Sequence, residues 1–268
     1  MPVDMAALAA DLAAESAVTR ALVAGLDEHG WHTPTPAAGW DIADQIGHLA
    51  YFDEVAVQSA VRPEEFRAEL AVAQANGGID PAVIAARHRD RTGAELLAWF
   101  DTARAVLLGT FASLDPNTRL PWFGPAMSAA SSLTARLMET WAHTQDVADA
   151  LGVTREPTGR LRHVAHIGVG ARAFSYAVRG QIPPDTPVRI ELTAPDGALW
   201  TWGPPDAEDR VTGTALDFSL LVTQRRHRDD LALIIDGPKA AEWMAIAQAF
   251  AGPPGPGRPA ASQESESR

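Results

Sequence analysis

The sequence predicts an α+β protein in which a helical bundle precedes a small domain of strands and helices. In the first half of the chain, apolar residues recur every three or four positions, as they do on one face of an amphipathic helix. The second half contains short segments in which apolar and polar residues alternate, which is typical of strands. Hydrophobic residues make up 46% of the chain and charged residues 21%, a composition that favours a folded protein over a disordered one.

Four helices are predicted in the first half, and helices of this length joined by loops pack most economically as a bundle. The third begins at Asp80, a good N-cap residue, and Pro81 suits its first helical position. Gly152 is well placed to end the fourth. The four predicted helices span residues 4–27, 41–59, 80–111 and 128–151.

The second half is predicted to form a sheet of three or four strands with helices on one face. Asp196 and Gly197 form a strong hairpin signal between the first two strands. The predicted strands span residues 188–193, 198–202, 209–213 and 231–235, and the predicted helices span residues 160–178, 214–224 and 238–250.

These elements define the expected domains. We expect the bundle over residues 1–155 and the small α+β domain over residues 156–251. Residues 252–268 are rich in Pro and Gly and then in Ser and Glu, so we expect a disordered tail.

The charge balance excludes some classes of function. The chain has 22 Lys and Arg residues against 34 Asp and Glu residues, a formal net charge of −12. Because binders of nucleic acids and anionic membranes need a basic face, neither partner is expected. Apolar runs are short and interrupted by charge, and residues 1–16 lack the features of a secretory signal. We therefore expect a cytoplasmic protein whose partner is a small-molecule substrate.

The chain contains no cysteine. Any metal must then be held by His, Asp or Glu, and any thiol must come from outside the protein. His48 is one candidate ligand, because it lies beside the apolar positions Ile42, Ile46 and Leu49 of the second predicted helix. A single histidine on such a face is more often a hydrogen-bonded core residue.

The fourth predicted helix carries the second candidate pair. Glu139 and His143 are four residues apart, so they project from one helix face among bulky apolar neighbours. This spacing is common by chance, but burying either group without a partner is costly. Together with His48, they form a sound three-ligand set for a divalent metal such as zinc, with one coordination position left open. Asp146 either orients His143 as a hydrogen-bond acceptor or is a solvated helix residue.

These residues closely resemble the DinB-like metal-binding superfamily and, within it, the mycothiol-dependent maleylpyruvate isomerase group. In that group, a Gly-Trp opening leads to a His on one bundle helix, and Glu-x-x-x-His lies on the last. The chain matches the opening from Gly39-Trp40 to His48 and the second motif with Glu139 and His143. The resemblance covers nearly the whole chain apart from the tail. Its last segments are similar to an actinobacterial subgroup whose members are mostly uncharacterised.

The resemblance implies a DinB-like four-helix bundle followed by a small domain similar to sterol carrier proteins. It implies a divalent metal, zinc being the expected one, and mycothiol or another low-molecular-weight thiol as cosubstrate. It also implies that an arginine of the second domain reaches the site. Arg226 is the best match and Arg225 the next. The alternative is that both belong to a cationic helix end, which the helix dipole favours.

The resulting hypothesis is a metal-dependent isomerase or thiol transferase that activates an external thiol or water. Coordination lowers the pKa of either group and makes its anion available at neutral pH. The alternatives are a metal-dependent hydrolase or cyclase on the same scaffold, a metal-binding sensor without turnover, and a carrier of an apolar ligand in the second domain. Residues 122–125 are expected either to line the pocket mouth or to plug the end of the bundle.

Overall fold

The computed structural model describes residues 3–78, 80–255 and 257–262. The chain divides into two compact units, Met1–Arg155 and Glu156–Arg268. The first unit is helical and the second contains a small sheet, so the predicted α+β class is confirmed. No helix in the described ranges is long and apolar enough to cross a membrane.

The first unit is organised around four helices of 19 to 22 residues. The elements of this unit are α1 (Met5–Val23), α2 (Glu28–Trp31), α3 (Ile42–Val61), α4 (Pro63–Ala75), α5 (Pro81–Ala86), α6 (Gly93–Ala112), β1 (Arg119–Leu120), β2 (Met127–Ser128) and α7 (Ala129–Ala150). Helix α3 packs against α6 and α7, and α1 packs against α7.

The helix starts are set by side-chain caps. Asp41 accepts from the backbone N–H of Asp44, whose carboxylate accepts in return from Asp41, and this capping box begins α3. Thr92 and Glu95 form the same arrangement at α6. Ser128 caps α7 by accepting from the N–H of Ser131.

The third predicted helix is two helices in the structure. Asp80 and Pro81 begin a helix as expected, but it is the short α5, and α6 starts separately at Gly93. The capping box at Thr92 is the physical reason for this second start. Helix α4 was not predicted; it starts at Pro63, in the first helical position.

A buried charged cluster joins the four long helices. Asp53 on α3 accepts from Nε of Arg104 on α6 at 2.6 Å and from Nε of Arg136 on α7 at 2.9 Å. Arg104 also donates to the hydroxyls of Ser16 on α1 and Thr140 on α7. All five side chains are buried. Buried charges are tolerated only when paired and hydrogen-bonded, so this cluster constrains how the helices pack.

The second unit contains a four-stranded sheet in the order β4-β3-β5-β6. Strand β3 runs antiparallel to β4 and parallel to β5, and β5 runs antiparallel to β6. Leu192 on β3 pairs with Trp200 on β4, and Ile190 pairs with Val211 on β5. The elements are α8 (Leu161–Gly170), α9 (Arg172–Ala177), β3 (Val188–Thr193), β4 (Leu199–Trp202), β5 (Asp209–Thr214), α10 (Ala215–Val222), a short 3₁₀ turn (Arg228–Asp230), β6 (Ile234–Asp236) and α11 (Pro238–Met244).

The hairpin and the alternation of the second unit follow the sequence pattern. Gly197 has φ +84° at the tip of the β3–β4 hairpin, a conformation that favours glycine. Val188, Ile190 and Leu192 point into the core, while the residues between them are partly exposed. Asp209 at the start of β5 caps α11 by accepting from two of its backbone N–H groups.

Two predicted helices of the second unit have different bounds in the structure, and the predicted tail is described only in part. The predicted helix over residues 160–178 is divided into α8 and α9 at Ala171, and α11 ends at Met244 instead of reaching Phe250. In the described part of the tail, Ala260 is buried and Ala261 donates its N–H to Asp230. Residues 256 and 263–268, for which a disordered tail was predicted, lie outside the described residues.

Candidate metal centre

A tight loop before α3 places Trp40 over the candidate ligands. Gly39 has φ +76°, and Trp40 donates its N–H to the carbonyl of Ala37 at 3.0 Å, closing the turn. The Trp40 ring lies 5.3 Å from the ring of His48 and 6.0 Å from that of His143, between ring centroids. The Gly-Trp opening therefore covers one side of the site.

The packing of α3 against α7 brings the three predicted ligands together. His48 is on α3, and Glu139 and His143 are one turn apart on α7. Each residue offers one ligand atom, and these atoms lie within 4.8 Å of one another. The Oε2 atom of Glu139 is 3.2 Å from Nε2 of His143 and 3.8 Å from Nε2 of His48.

The site is enclosed but not sealed. His48 and His143 are buried, whereas the Glu139 side chain is 20% exposed. The ring of Phe52 lies 4.6 Å from that of His48, on the next turn of α3. Solvent therefore reaches the site at Glu139.

The pKa shifts favour the protonation states that bind metals. Burial, aided by the nearby His143, lowers the pKa of His48 to about 4, so its imidazole is neutral at pH 7. Burial alone would raise the pKa of Glu139, but the hydrogen bonds and charges of the two histidines lower it well below its usual range. A neutral imidazole and an ionised carboxylate are the forms that coordinate zinc.

The donor set fits a divalent cation. Nδ1 of His143 lies 2.5 Å from the amide oxygen of Gln45, an atom that can only accept, so Nδ1 carries a proton. The Nε2 lone pair of the neutral ring then faces the Glu139 carboxylate at 3.2 Å. Two acceptors at that distance repel each other, so a proton or a metal ion must lie between them. A proton there forms the hydrogen bond that lowers the pKa of Glu139, and a bound divalent ion would take the place of that proton. Two nitrogens and one carboxylate oxygen are ligands that zinc prefers.

The other predicted site residues are placed as follows. Asp146 is buried on α7, and its role beside His143 stays a prediction. Arg225 and Arg226 follow α10 in the second unit, where Gln224 has φ +58° at the helix end. Arg225 donates to the carbonyl of Thr223, and the role of both arginines at the metal site also stays a prediction.

Sequence reasoning missed the charged cluster beside the site. Arg136, three residues before Glu139, donates to Asp53 and to the carbonyl of Leu49, the residue that follows His48. The signal in the sequence was charged residues at positions of α3 and α7 that face the core. Sequence reasoning also gave no role to Gln45, which is the partner of Nδ1 of His143.

The loop after β1 belongs to an aromatic cluster next to the site. The Trp122 ring stacks on Phe66 with 6.1 Å between centroids, and Phe123 lies edge-on to Phe52 at 5.9 Å. Both loop side chains are partly exposed. Through Phe52, which also contacts His48, this cluster is continuous with the wall of the site.

Comparisons with known proteins identify the family to which the first unit is similar. Residues 12–148 match the family model described as the mycothiol maleylpyruvate isomerase N-terminal domain, and residues 184–235 match one described as wyosine base formation. Two uncharacterised proteins from strains of Mycobacterium tuberculosis are 49% identical over 251 residues, which cover 93% of this chain and 97% of each relative.

Two crystal structures share the fold. One is a mycothiol-dependent maleylpyruvate isomerase, with a TM-score of 0.56 and 16% identity, and the other is a mutant of that enzyme, with a TM-score of 0.57 and 15% identity. Each alignment covers 88% of this chain and 96% of the other. At 15% and 16% sequence identity, this structural similarity shows a shared fold and nothing more specific.

Proposed function

The chain belongs to the mycothiol maleylpyruvate isomerase N-terminal domain family, and from this premise we propose that it is a divalent-metal-binding enzyme of the mycothiol-dependent isomerase or S-transferase type. In this proposal, His48, Glu139 and His143 hold the metal, with zinc as the expected ion. Mycothiol or another low-molecular-weight thiol is the cosubstrate. The substrate is a small electrophilic molecule.

One observation carries the proposal. Two imidazole nitrogens and a carboxylate oxygen converge within 4.8 Å. When the His143 ring is neutral, its Nε2 carries no proton and faces the Glu139 carboxylate. A buried arrangement of this kind is costly unless a cation satisfies it. Three protein ligands also leave a coordination position open, as catalytic zinc sites do.

The residues around the ligands suit a reaction with an external thiol. When bound, the metal supplies Lewis acidity that lowers the pKa of a coordinated thiol or water. Trp40 and Phe52 exclude bulk water from two sides, and the exposed side of Glu139 leaves a route for small molecules. The sulfur must come from a cosubstrate, because the chain has no cysteine.

The charge of the site favours anionic ligands. A divalent ion with two neutral imidazoles and one carboxylate has a net charge of about +1. The nearby cluster of Asp53, Arg104 and Arg136 adds one more positive charge in the protein interior. We expect this field to favour a thiolate or an acidic substrate. Arg226, with Arg225 as the next candidate, is proposed to bind a carboxylate of the substrate or of the thiol carrier.

The proposal is tested by metal analysis followed by thiol-dependent assays. The wild type should contain about one divalent ion per chain, and His48→Ala and His143→Ala should each lose it. The control is His29→Ala, since His29 is exposed on α2. A wild type without bound metal, or ligand variants with unchanged metal content, would overturn the proposal.

The assays then separate the type of reaction. Turnover of electrophilic substrates that requires added thiol supports the isomerase or transferase. Metal-dependent turnover that needs no thiol would instead assign the chain to the metal-dependent hydrolases or cyclases. Metal binding without any turnover would assign it to sensors or regulatory proteins.

A further inference from the structure

A chain of hydrogen bonds runs from the loop before α3 into the candidate metal centre. We propose that Gln45 is a positioning residue that fixes the tautomer of His143, and that Thr35 fixes the orientation of the Gln45 amide. The proposal rests on the proposed function insofar as His143 is a metal ligand. The tautomer itself can be measured without any metal.

The first step of the chain is at Thr35. The carbonyl oxygen of Trp40 accepts both from the backbone N–H of Thr35 and from its hydroxyl, each at 2.9 Å. A hydroxyl has a single hydrogen to donate, so the Thr35 hydroxyl can only accept any further hydrogen bond.

The second step is the orientation of the Gln45 amide. Its Nε2 lies 2.9 Å from the Thr35 hydroxyl oxygen and donates to it. The amide oxygen must then point the other way, towards Nδ1 of His143 at 2.5 Å. Gln45 is fully buried, so bulk water does not compete for either end of the amide.

The third step is the proton on His143. The amide oxygen is only an acceptor, so the proton of a neutral His143 ring lies on Nδ1. Nε2 therefore presents its lone pair to the position it shares with the Glu139 carboxylate. A ligand whose second nitrogen is held in this way is oriented and pre-organised before metal binds.

The two histidines of the site differ in whether their Nδ1 atom has a hydrogen-bond partner. Nδ1 of His48 is buried and has no hydrogen-bond partner in the described ranges 3–78, 80–255 and 257–262. The chain of hydrogen bonds from Thr35 through Gln45, which we call the relay, therefore acts on His143 alone. Because Gln45 is a neutral amide, it orients the ring without adding a second negative charge to the site.

The relay also explains why the loop before α3 is shaped as it is. Pro34 and Asp41 form an isolated antiparallel bridge, and Gly39 turns the chain between them. This geometry places the Trp40 carbonyl beside Thr35 while the Trp40 ring covers both imidazoles. One short loop thus supplies both the cover of the site and the first link of the relay.

The test measures the tautomer of His143 by ¹⁵N NMR of the imidazole rings, at a pH where the ring is neutral and with all metal removed by chelator. The wild type is expected to show a single Nδ1–H tautomer. Gln45→Leu should give a mixture, and Gln45→Glu should restore the Nδ1–H form, because a carboxylate also accepts. Thr35→Val, which keeps the shape but removes the hydroxyl, should give a smaller change in the same direction.

Zinc affinity, measured by competition with a chelator, gives the second readout. Gln45→Leu is expected to weaken zinc binding by about 10- to 100-fold, and Gln45→Glu should recover most of that loss. The control is Gln145→Leu, which removes an amide on α7 that donates to Asp149. It should leave the tautomer of His143 unchanged.

The outcomes separate this proposal from the proposed function. If folded Gln45→Leu keeps a single Nδ1–H tautomer and wild-type zinc affinity, the relay is wrong even though the metal site stands. If the wild type shows the opposite tautomer, the relay is also wrong. If the wild type binds no zinc but shows the tautomer changes, the relay stands and the proposed function fails. Should Gln45→Leu not fold, Thr35→Val takes its place: a single Nδ1–H tautomer and wild-type zinc affinity in that variant would overturn the relay, with Gln45→Glu as the variant expected to match the wild type.

Discussion

Arg136 on α7 donates from its Nε to Oδ1 of Asp53 on α3 at 2.9 Å, with both side chains buried. The residues are 83 positions apart in the sequence. Asp53 also accepts from Arg104, so one carboxylate balances two guanidinium groups. Since α3 and α7 also carry the candidate metal ligands, this pair helps to set the distance between them.

Asp53→Asn is therefore expected to destabilise the protein strongly. It leaves two buried arginines without a counter-charge, and breaking a buried pair in this way costs about 3–5 kcal/mol. The measurement is the free energy of unfolding in urea. The control is Asp101→Asn, because Asp101 pairs with Arg20 at an exposed position and should contribute at most about 1 kcal/mol. Equal effects of the two substitutions would contradict the prediction.

Two glycines of α6 should respond in opposite ways to alanine. A Cβ at Gly93 would lie 2.2 Å from the Trp31 ring, and Gly93→Ala should cost about 1–3 kcal/mol of unfolding free energy through overpacking. A Cβ at Gly109 meets no atom within 4 Å in the described structure, and Gly109→Ala should stabilise the helix by about 0.5–1 kcal/mol. Thermal unfolding of both variants checks the packing of α6; a stabilised Gly93→Ala would count against it.

Acidification should destabilise the metal-free protein because of His48. The pKa of His48 is about 4 in the folded state, against an ordinary value of 6.5. Between these values, the unfolded chain binds a proton that the folded chain does not. The free energy of unfolding therefore decreases as the pH falls from 6.5 towards 4, by on the order of 3 kcal/mol from this residue.

Urea unfolding of chelator-treated protein at several pH values measures this slope. His48→Gln should flatten it, since a glutamine does not titrate. His29→Gln is the control, because His29 is exposed. If the His48→Gln and wild-type slopes are the same, burial does not hold the His48 imidazole neutral.

Glu139→Gln should lower metal affinity more than any variant of the hydrogen-bond relay. It removes the only carboxylate among the three candidate ligands. Removing a group that only orients a ligand lowers metal affinity by about 10- to 100-fold. Removing the ligand Glu139 itself should therefore lower the affinity by more than that. Zinc competition titrations provide the measurement. Glu54→Gln is the control, since Glu54 accepts from the Trp99 indole at an exposed position of α3. A Glu139→Gln variant with wild-type affinity would remove Glu139 from the site.

Thiol-blocking reagents should leave the protein itself unchanged. The chain has no cysteine, so alkylation followed by removal of the reagent should preserve both mass and activity. Activity in the proposed reaction should depend on the thiol added afterwards. Mass spectrometry and the thiol-dependent assay together check this, and inactivation by alkylation alone would point to a different nucleophile on the chain.

The helices and the hairpin of the fold could be predicted because their signals are local. The spacing of Ile42, Ile46 and Leu49 predicted a buried face of α3, and all three are fully buried. The turn at Asp196-Gly197 predicted the β3–β4 hairpin. The helix break at residues 87–92 was missed although that segment has no apolar residue, because the helical spacing of apolar residues resumes directly after it at Leu96 and Leu97. The break at Ala171 was missed because Val169 and Ala173 continue the apolar pattern on either side of it.

The sequence by itself determined the pairing of Glu139 with His143, because residues four apart on one helix share a face whatever surrounds them. His48 completed a plausible three-ligand set from the residue types alone, and the resemblance to a known family then supported all three residues together. Only the tertiary structure decided that Gln45 reaches Nδ1 of His143 and that Asp53 lies between two arginines. These contacts join residues 51 to 98 positions apart. No short-range sequence pattern encodes these contacts, because they depend on how α3, α6 and α7 pack against one another.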